Sequence, residues 1–296
     1  MRRLGQLLLD QPIFAAGLVL ILVLSPILSF FCSVFAAAII VLVTLQQGPK
    51  NGAFILLWVA VPAIVSFWFE GITGYDVFFV FCSLEFGLAL LLREFSSWDL
   101  VLEVMLILAL LVLAGIHVLV PDISLWWKAH LMQMYDSSSV LTSLPLEEKQ
   151  RLATLFSQYA TGLLAFYIML FSFFAVMIGR YWQAILNDSV AIFRTHLLAI
   201  RINRWVAWLA ILCLVGFLFK VPLFMDSISA IMMPFVVGSL SLLHAIGKQR
   251  FGFSVLIGLL YLGLLLVQYI VAPLLAVLAL LDTHFNFRQR LSDGAN

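Results

Sequence analysis

Apolar stretches close to the length that crosses a bilayer recur along this chain. They run from Ile13 to Gln46, Gly52 to Phe69, Val77 to Leu92, Leu100 to Val120, Leu155 to Ile178, Trp205 to Val221, Ile228 to Ile246 and Phe253 to Leu281. A membrane-spanning helix needs about 20 predominantly apolar residues, so blocks of this length dictate the class before any motif is read. Composition agrees: 64% of the 296 residues are hydrophobic and 10% charged, against roughly 45–50% and about 25% in a soluble domain. Mean hydropathy is +1.14. The sequence predicts an all-α polytopic transmembrane bundle of about eight to ten spans, built as a single integral membrane domain over 1–296. Disorder, collagen, coiled coil and nucleic-acid binding are excluded.

Prolines mark where blocks break. The first block is too long for one straight span and is cut at Ser25-Pro26, where proline removes a backbone donor and disfavours helix at the residue before it. The last block carries Pro273, which predicts either a kinked, tilted helix or two arms folding back there. Met1-Arg2-Arg3 before an apolar stretch mimics a secretory signal, but Asp10-Gln11-Pro12 interrupts it, and the stretch reads as an uncleaved first span. Cys32, Cys82 and Cys213 stand alone in apolar segments and read as reduced packing residues.

Basic residues fix the orientation, since cytoplasmic loops are enriched in Lys and Arg. If the first block goes out and back, Arg2, Arg3, Lys50, Arg93, Arg180, Arg194, Arg201, Arg204, Lys248 and Arg250 lie inside, with the N-terminus cytoplasmic. Lys128, Lys149, Arg151 and Lys220 lie outside with Glu70, Asp76, Asp122, Asp136, Glu147, Glu148 and Asp226. Trp68, Trp98, Trp126, Trp127, Trp182 and Trp205 fall at span ends, where indoles favour the interface. The external segment 121–154 begins with aromatics. It continues into a helix capped at Ser143, with Pro145 in its first turn and Glu147-Glu148 near its positive end, running on into the next span.

Glu85 stands in the middle of a span, where an unpaired carboxylate costs several kcal/mol, so it must face protein or water. It is the first candidate ligand-binding residue and His117, within the next span, the second; each has a bland alternative as a side chain bonded to a neighbouring helix. Glu103 and His244, close to the inner face, are the groups a lipid-modifying enzyme would use. Gln268 and Ser227, Ser229, Gly238, Ser239 and Ser241 read as small or polar packing contacts. The basic loop 180–204 carries Arg180, Trp182, Arg194 and Arg201 as contacts for a cytoplasmic partner or anionic lipid. No phosphate-cradling loop, H-E-x-x-H, G-x-S-x-G or His–carboxylate cluster is present. No catalytic role, metal or cofactor is therefore expected.

At this loop the chain comes to resemble a known family. Arg180-Tyr181-Trp182-Gln183-Ala184-Ile185-Leu186, then Phe193-Arg194, join Ser25-Pro26 in the first block and Leu281-Asp282 with Phe285, Phe287 and Arg288 near the end. In order and placement these resemble the YybS-like membrane proteins, a family of unknown function, across nearly the whole chain. Where a glycine-rich turn is expected after Trp-Gln, this chain has Asn187-Asp188-Ser189-Val190. The resemblance implies a bacterial inner-membrane protein similar in fold to the substrate-binding S components of energy-coupling-factor vitamin transporters. Those hold a small ligand near the outer face and rely on a separate membrane protein and ATPases for energy. Ala36-Ala37-Ala38 would be the small-residue docking surface.

The function expected is binding or transport of a small molecule without chemistry of its own. The alternatives are a structural or regulatory protein that recruits a partner through 180–204, and a lipid-modifying enzyme. The partners expected are the bilayer, a small molecule, and a membrane or cytoplasmic protein, with no nucleic acid.

Overall fold

The computed structural model describes residues 2–25, 29–71, 73–138, 144–247 and 253–288, and every regular element among them is helical. The helices are α1 (Arg2–Asp10), α2 (Pro12–Leu24), α3 (Ser29–Gln47), α4 (Pro49–Glu70), α5 (Gly74–Phe95), α6 (Trp98–Leu119) and α7 (Ile123–Ser137). There follow α8 (Leu146–Ser157), α9 (Ala160–Leu186), α10 (Val190–Leu198), α11 (Arg204–Leu218), α12 (Pro222–Gly247), α13 (Phe253–Leu266) and α14 (Gln268–Phe285). Among the described residues α4, α5, α6, α9, α12 and α14 are long and apolar enough to cross a membrane, so the chain is a multi-pass helical bundle. The bent pair α1–α2 would make a seventh crossing if it counts as one, and α3, α11 and α13 are shorter apolar helices. Contacts divide the chain into two compact units: Met1–Val101 with Leu170–Leu197, and Leu102–Met169 with Leu198–Asn296.

In the first unit α2, α3, α4 and α5 pack against one another. The Asp10-Gln11-Pro12 interruption turns α1 from α2 through 111°, with Pro12 at the start of α2, where its missing N–H is no loss. The break at Ser25 stands as well, because α2 ends at Leu24; Pro26 lies outside the described residues. Thr73 and Asp76 form a reciprocal capping box at the start of α5. Arg93, near the other end of α5, donates to the carbonyls of Thr44 and Leu45 at 3.1 and 2.8 Å, a cation on the negative end of α3. Ala36, Ala37 and Ala38 are fully buried, which removes them as a docking surface. Their small side chains admit α9 instead: at Gly179 a Cβ would lie 2.6 Å from Val41 Cγ1 and 2.8 Å from the Ala38 carbonyl.

In the second unit α12 is the central helix, packed on α11, α13 and α14. Two of its serines bond outside the helix: Ser239 donates to the Leu275 carbonyl of α14, and Ser241 accepts from Arg288, whereas Ser227 donates to Leu223 within α12. Within 121–154 the helices α7 and α8 pack together, pinned by Lys149 Nζ donating to Asp136 Oδ1 at 2.9 Å. Glu147 and Glu148 occupy the first turn of α8 with Pro145 as its cap; Ser143 lies outside the described residues. The helix does not run on into the next span, since Gln158 and Tyr159 break it before α9.

The last block breaks at Val267 rather than at Pro273. Pro273 lies inside α14, one turn from its start, where only the bond to the Tyr269 carbonyl is forfeited. Val267 takes φ −135° and ψ 45°, and Gln268 begins α14 with its amide on the Tyr167 hydroxyl. Leu260 and Leu264 of α13 then share one apolar cluster with Val271, Ala272 and Leu275 of α14.

Candidate functional site

The strongest polar constellation is one the sequence half concealed. Proline at the first position of α12 starts that helix at Pro222, six residues earlier than the apolar pattern suggests, and so draws Asp226 inside it. Asp226 is 3% exposed. Its Oδ2 lies 2.9 Å from Nε2 of His117, in the last turn of α6. Its Oδ1 accepts from the backbone N–H of Gly162 at 2.7 Å, in the first turn of α9. Anions are favoured at a helix N-terminus, where backbone donors are unspent and the dipole is positive. Thr161, beside Gly162, also offers its hydroxyl to the carboxylate and accepts from Trp127 Nε1 of α7 at 2.9 Å.

Only glycine permits this approach. A Cβ on Gly162 would lie 2.1 Å from the Asp226 carbonyl oxygen and 2.6 Å from its Cα, far inside contact distance. Two helices, α6 and α9, therefore converge on a carboxylate carried by a third. With Asp226 ionised, a group that can only accept, His117 carries its proton on Nε2, and Nδ1 makes no protein contact among those the structure shows.

His117 and Asp226 form part of the wall of a cavity of about 670 Å³, with Asp122, Tyr159, Phe217 and Lys220 among its other lining residues. That volume is of the size small-molecule pockets take, about 300–1,000 Å³. Lys220 follows the C-cap of α11 with φ +55°, a left-handed conformation uncommon outside glycine and asparagine. Among the described residues no carboxylate pairs with it. No group of three or more His, Cys, Asp or Glu is placed to hold a metal among the described residues.

The expected ligand pair, Glu85 and His117, falls in different units with different neighbours. Glu85 of α5 is fully buried, and neither carboxyl oxygen has a hydrogen-bond partner. Ser172 of α9 is a polar neighbour of it, likewise buried and unpartnered. Glu103 and His244 are half-buried, His244 uses Nδ1 on the Leu240 carbonyl at 2.8 Å, and among the described residues no ion pair joins the two.

The expected loop 180–204 is largely helical, because α9 extends to Leu186 and α10 follows. Arg180 donates to Gln183 within α9. Trp182 is a correction to the expected partner contact: it is 8% exposed and belongs to the first unit's apolar core. Arg194 is exposed on α10, while Arg201 donates to the Asp282 carbonyl at 3.4 Å. Asp188, in the turn where glycine was expected, takes φ +51°, and Arg2 pairs with its carboxylate at 2.8 and 3.0 Å.

No family model, curated protein or solved structure matches the chain.

Proposed function

We propose that this chain is a small-molecule-binding membrane protein, of the transport-related kind that the S-component resemblance implies, and that its ligand occupies the cavity beside His117 and Asp226. The observation that carries this is a built polar wall in a cavity of ligand size: a buried carboxylate fixed by a backbone amide and an imidazole, with a cation of unusual backbone conformation lining the same space. Charged and strained residues persist in such positions when something other than stability keeps them. Lys220 without a protein counterion favours a ligand with an acidic group, and His117 Nδ1 adds one directional contact.

On the charge-based orientation, with the N-terminus in the cytoplasm of a bacterial cell and the protein in its inner membrane, this end faces outward. That is the side on which S components hold their ligands. The His117–Asp226 pair also resembles an acid–base dyad, which favours an enzyme as the second reading. Among the described residues, however, the one hydrogen bond of His117 is to Asp226 and not to a hydroxyl or thiol, as it would be beside an activated nucleophile.

The test is untargeted small-molecule mass spectrometry on the protein purified in mild detergent, beside its Lys220→Ala and His117→Ala variants and an unrelated membrane protein. An acidic metabolite that accompanies the wild type and is depleted in both variants is expected. Repeated preparations carrying only bulk lipid would overturn the reading.

A further inference from the structure

Glu85 is the twelfth residue of the 22-residue helix α5, which places it about 16 Å from either end at 1.5 Å per residue. It is therefore at mid-depth of a membrane-crossing helix, fully buried, with both oxygens unpartnered. Among the described residues no ion pair includes it. Helices α2 and α3 carry no charged residue, and α4 carries only Lys50 and Glu70, both in its terminal turns.

The remaining charges of α5 are Asp76, Arg93 and Glu94, each at least eight residues away, about 12 Å or more along the axis. Asp76 is held in the Thr73 capping box, and Arg93 by the Thr44 and Leu45 carbonyls. On α9, Arg180 is eight residues beyond Ser172 and bonded to Gln183. The two groups that interact with the acid are neutral: Cys82, one turn back on α5, and the Ser172 hydroxyl.

A carboxylate offers about four acceptor sites and no donor, so with one hydroxyl as company an ionised Glu85 would be left almost wholly unsatisfied. A carboxylic acid changes the count. It has one donor and a carbonyl acceptor, and Ser172 has one donor and accepting lone pairs. The acid proton directed to Ser172 Oγ satisfies both otherwise orphaned groups in a single contact.

We propose that Glu85 is a proton-binding site at the middle of the membrane, holding its carboxylic proton at neutral pH with Ser172 Oγ as acceptor. The site stands independently of the cavity beside His117. A group of this kind at mid-depth is what couples proton movement to a membrane bundle, since an acid neutral in the closed bundle must ionise when α5 and α9 part enough to admit water.

The experiment is infrared spectroscopy on the full chain in liposomes at neutral pH, in wild type and Glu85→Gln, paired with labelling by dicyclohexylcarbodiimide, which attacks protonated carboxyls in apolar surroundings. The wild type is expected to show a protonated-acid carbonyl band that Glu85→Gln lacks, and a carbodiimide adduct on the Glu85 peptide that excess sodium does not suppress. Ser172→Ala, which removes the acceptor but not the acid, should shift that band without abolishing it. The proposal is overturned if the wild type shows no protonated-acid band at neutral pH, or if sodium or lithium protects Glu85, which would make the site one for a metal cation. Should Glu85→Gln fail to fold, the band's disappearance with rising pH in the wild type and its shift in Ser172→Ala decide the matter.

Discussion

Replacing Gly162 by alanine should separate α9 from α12 and dismantle the Asp226 site. The added Cβ would lie 2.1 Å from the Asp226 carbonyl oxygen, where ordinary contact begins at 3.4 Å. Relief through backbone movement alone needs a displacement of about 1.3 Å, which carries the 2.7 Å Gly162–Asp226 bond out to about 4 Å, beyond any hydrogen bond. Overpacking costs about 1–3 kcal/mol, a lost charged hydrogen bond about 1.5–3, and alanine returns up to about 1 as the better helix former. The net expectation is a loss of about 2–5 kcal/mol, or roughly 3–8 °C in a chain of 296 residues. Gly115→Ala is the matched control: it lies in α6 of the same unit, and its Cβ would meet nothing within 4 Å. It should be neutral or stabilising by at most about 1 kcal/mol.

Cys213, 3% exposed and in that unit, supplies the reporter: with Cys32 and Cys82 replaced by alanine, a thiol-reactive fluorophore added during heating reads its exposure. Equal melting of the two glycine variants would refute the close-approach account of Gly162.

Three other perturbations follow from particular contacts. His117→Ala leaves Asp226 with one oxygen stripped of its imidazole, and thermal unfolding should register a loss of about 1–3 kcal/mol. Glu85→Leu exchanges a neutral buried acid and its one contact to Ser172 for apolar packing, and thermal unfolding should stay within about 1.5 kcal/mol of wild type; a large fall would mean that the carboxyl holds the first unit together. Asp188→Gly gives the turn the residue its φ of +51° favours while discarding an ion pair to Arg2 that is more than half exposed, a pair worth about 0–1 kcal/mol. Its stability at physiological salt should stay within about 1 kcal/mol of wild type, and a larger loss would give the Arg2 contact a weight that exposure argues against.

The parts of the fold legible in the sequence were those governed by local chemistry. Pro12 and the Ser25 break mark helix limits because proline's lost donor acts within one turn. Pro273 misleads for the same reason read too strongly: one turn into a helix it costs a single bond, while the decisive signal is Gln268, the one strongly polar residue of its block, opening a new helix with Tyr269 beside it. Trp98 and Trp182 look like interfacial anchors by position, yet both are buried, Trp98 edge-on to Phe173 and Phe193 at 5.7 and 6.3 Å. An aromatic at a span end has two uses, and sequence alone does not choose between them.

The candidate site shows the sharper limit. His117 could be singled out because a histidine in a span is costly, but its partner Asp226 lies 109 residues away and looked like one more external acid. Pro222 was the available signal, since it starts α12 early enough to bury Asp226. Nothing local could foretell that Gly162 would bring its amide to that carboxylate.

The composition of the first unit from two separate stretches, Met1–Val101 and Leu170–Leu197, sets a timetable for synthesis. At about 5–20 residues per second, the ribosome needs roughly 3 to 14 s to pass from Val101 to Leu170. Through that interval α5 is made but α9 is not, and Glu85 waits in the nascent bundle without Ser172. Early helices must therefore be sheltered by the insertion machinery or by lipid until the ninth arrives, and a protease that surveys unassembled membrane segments would find its substrate in this window.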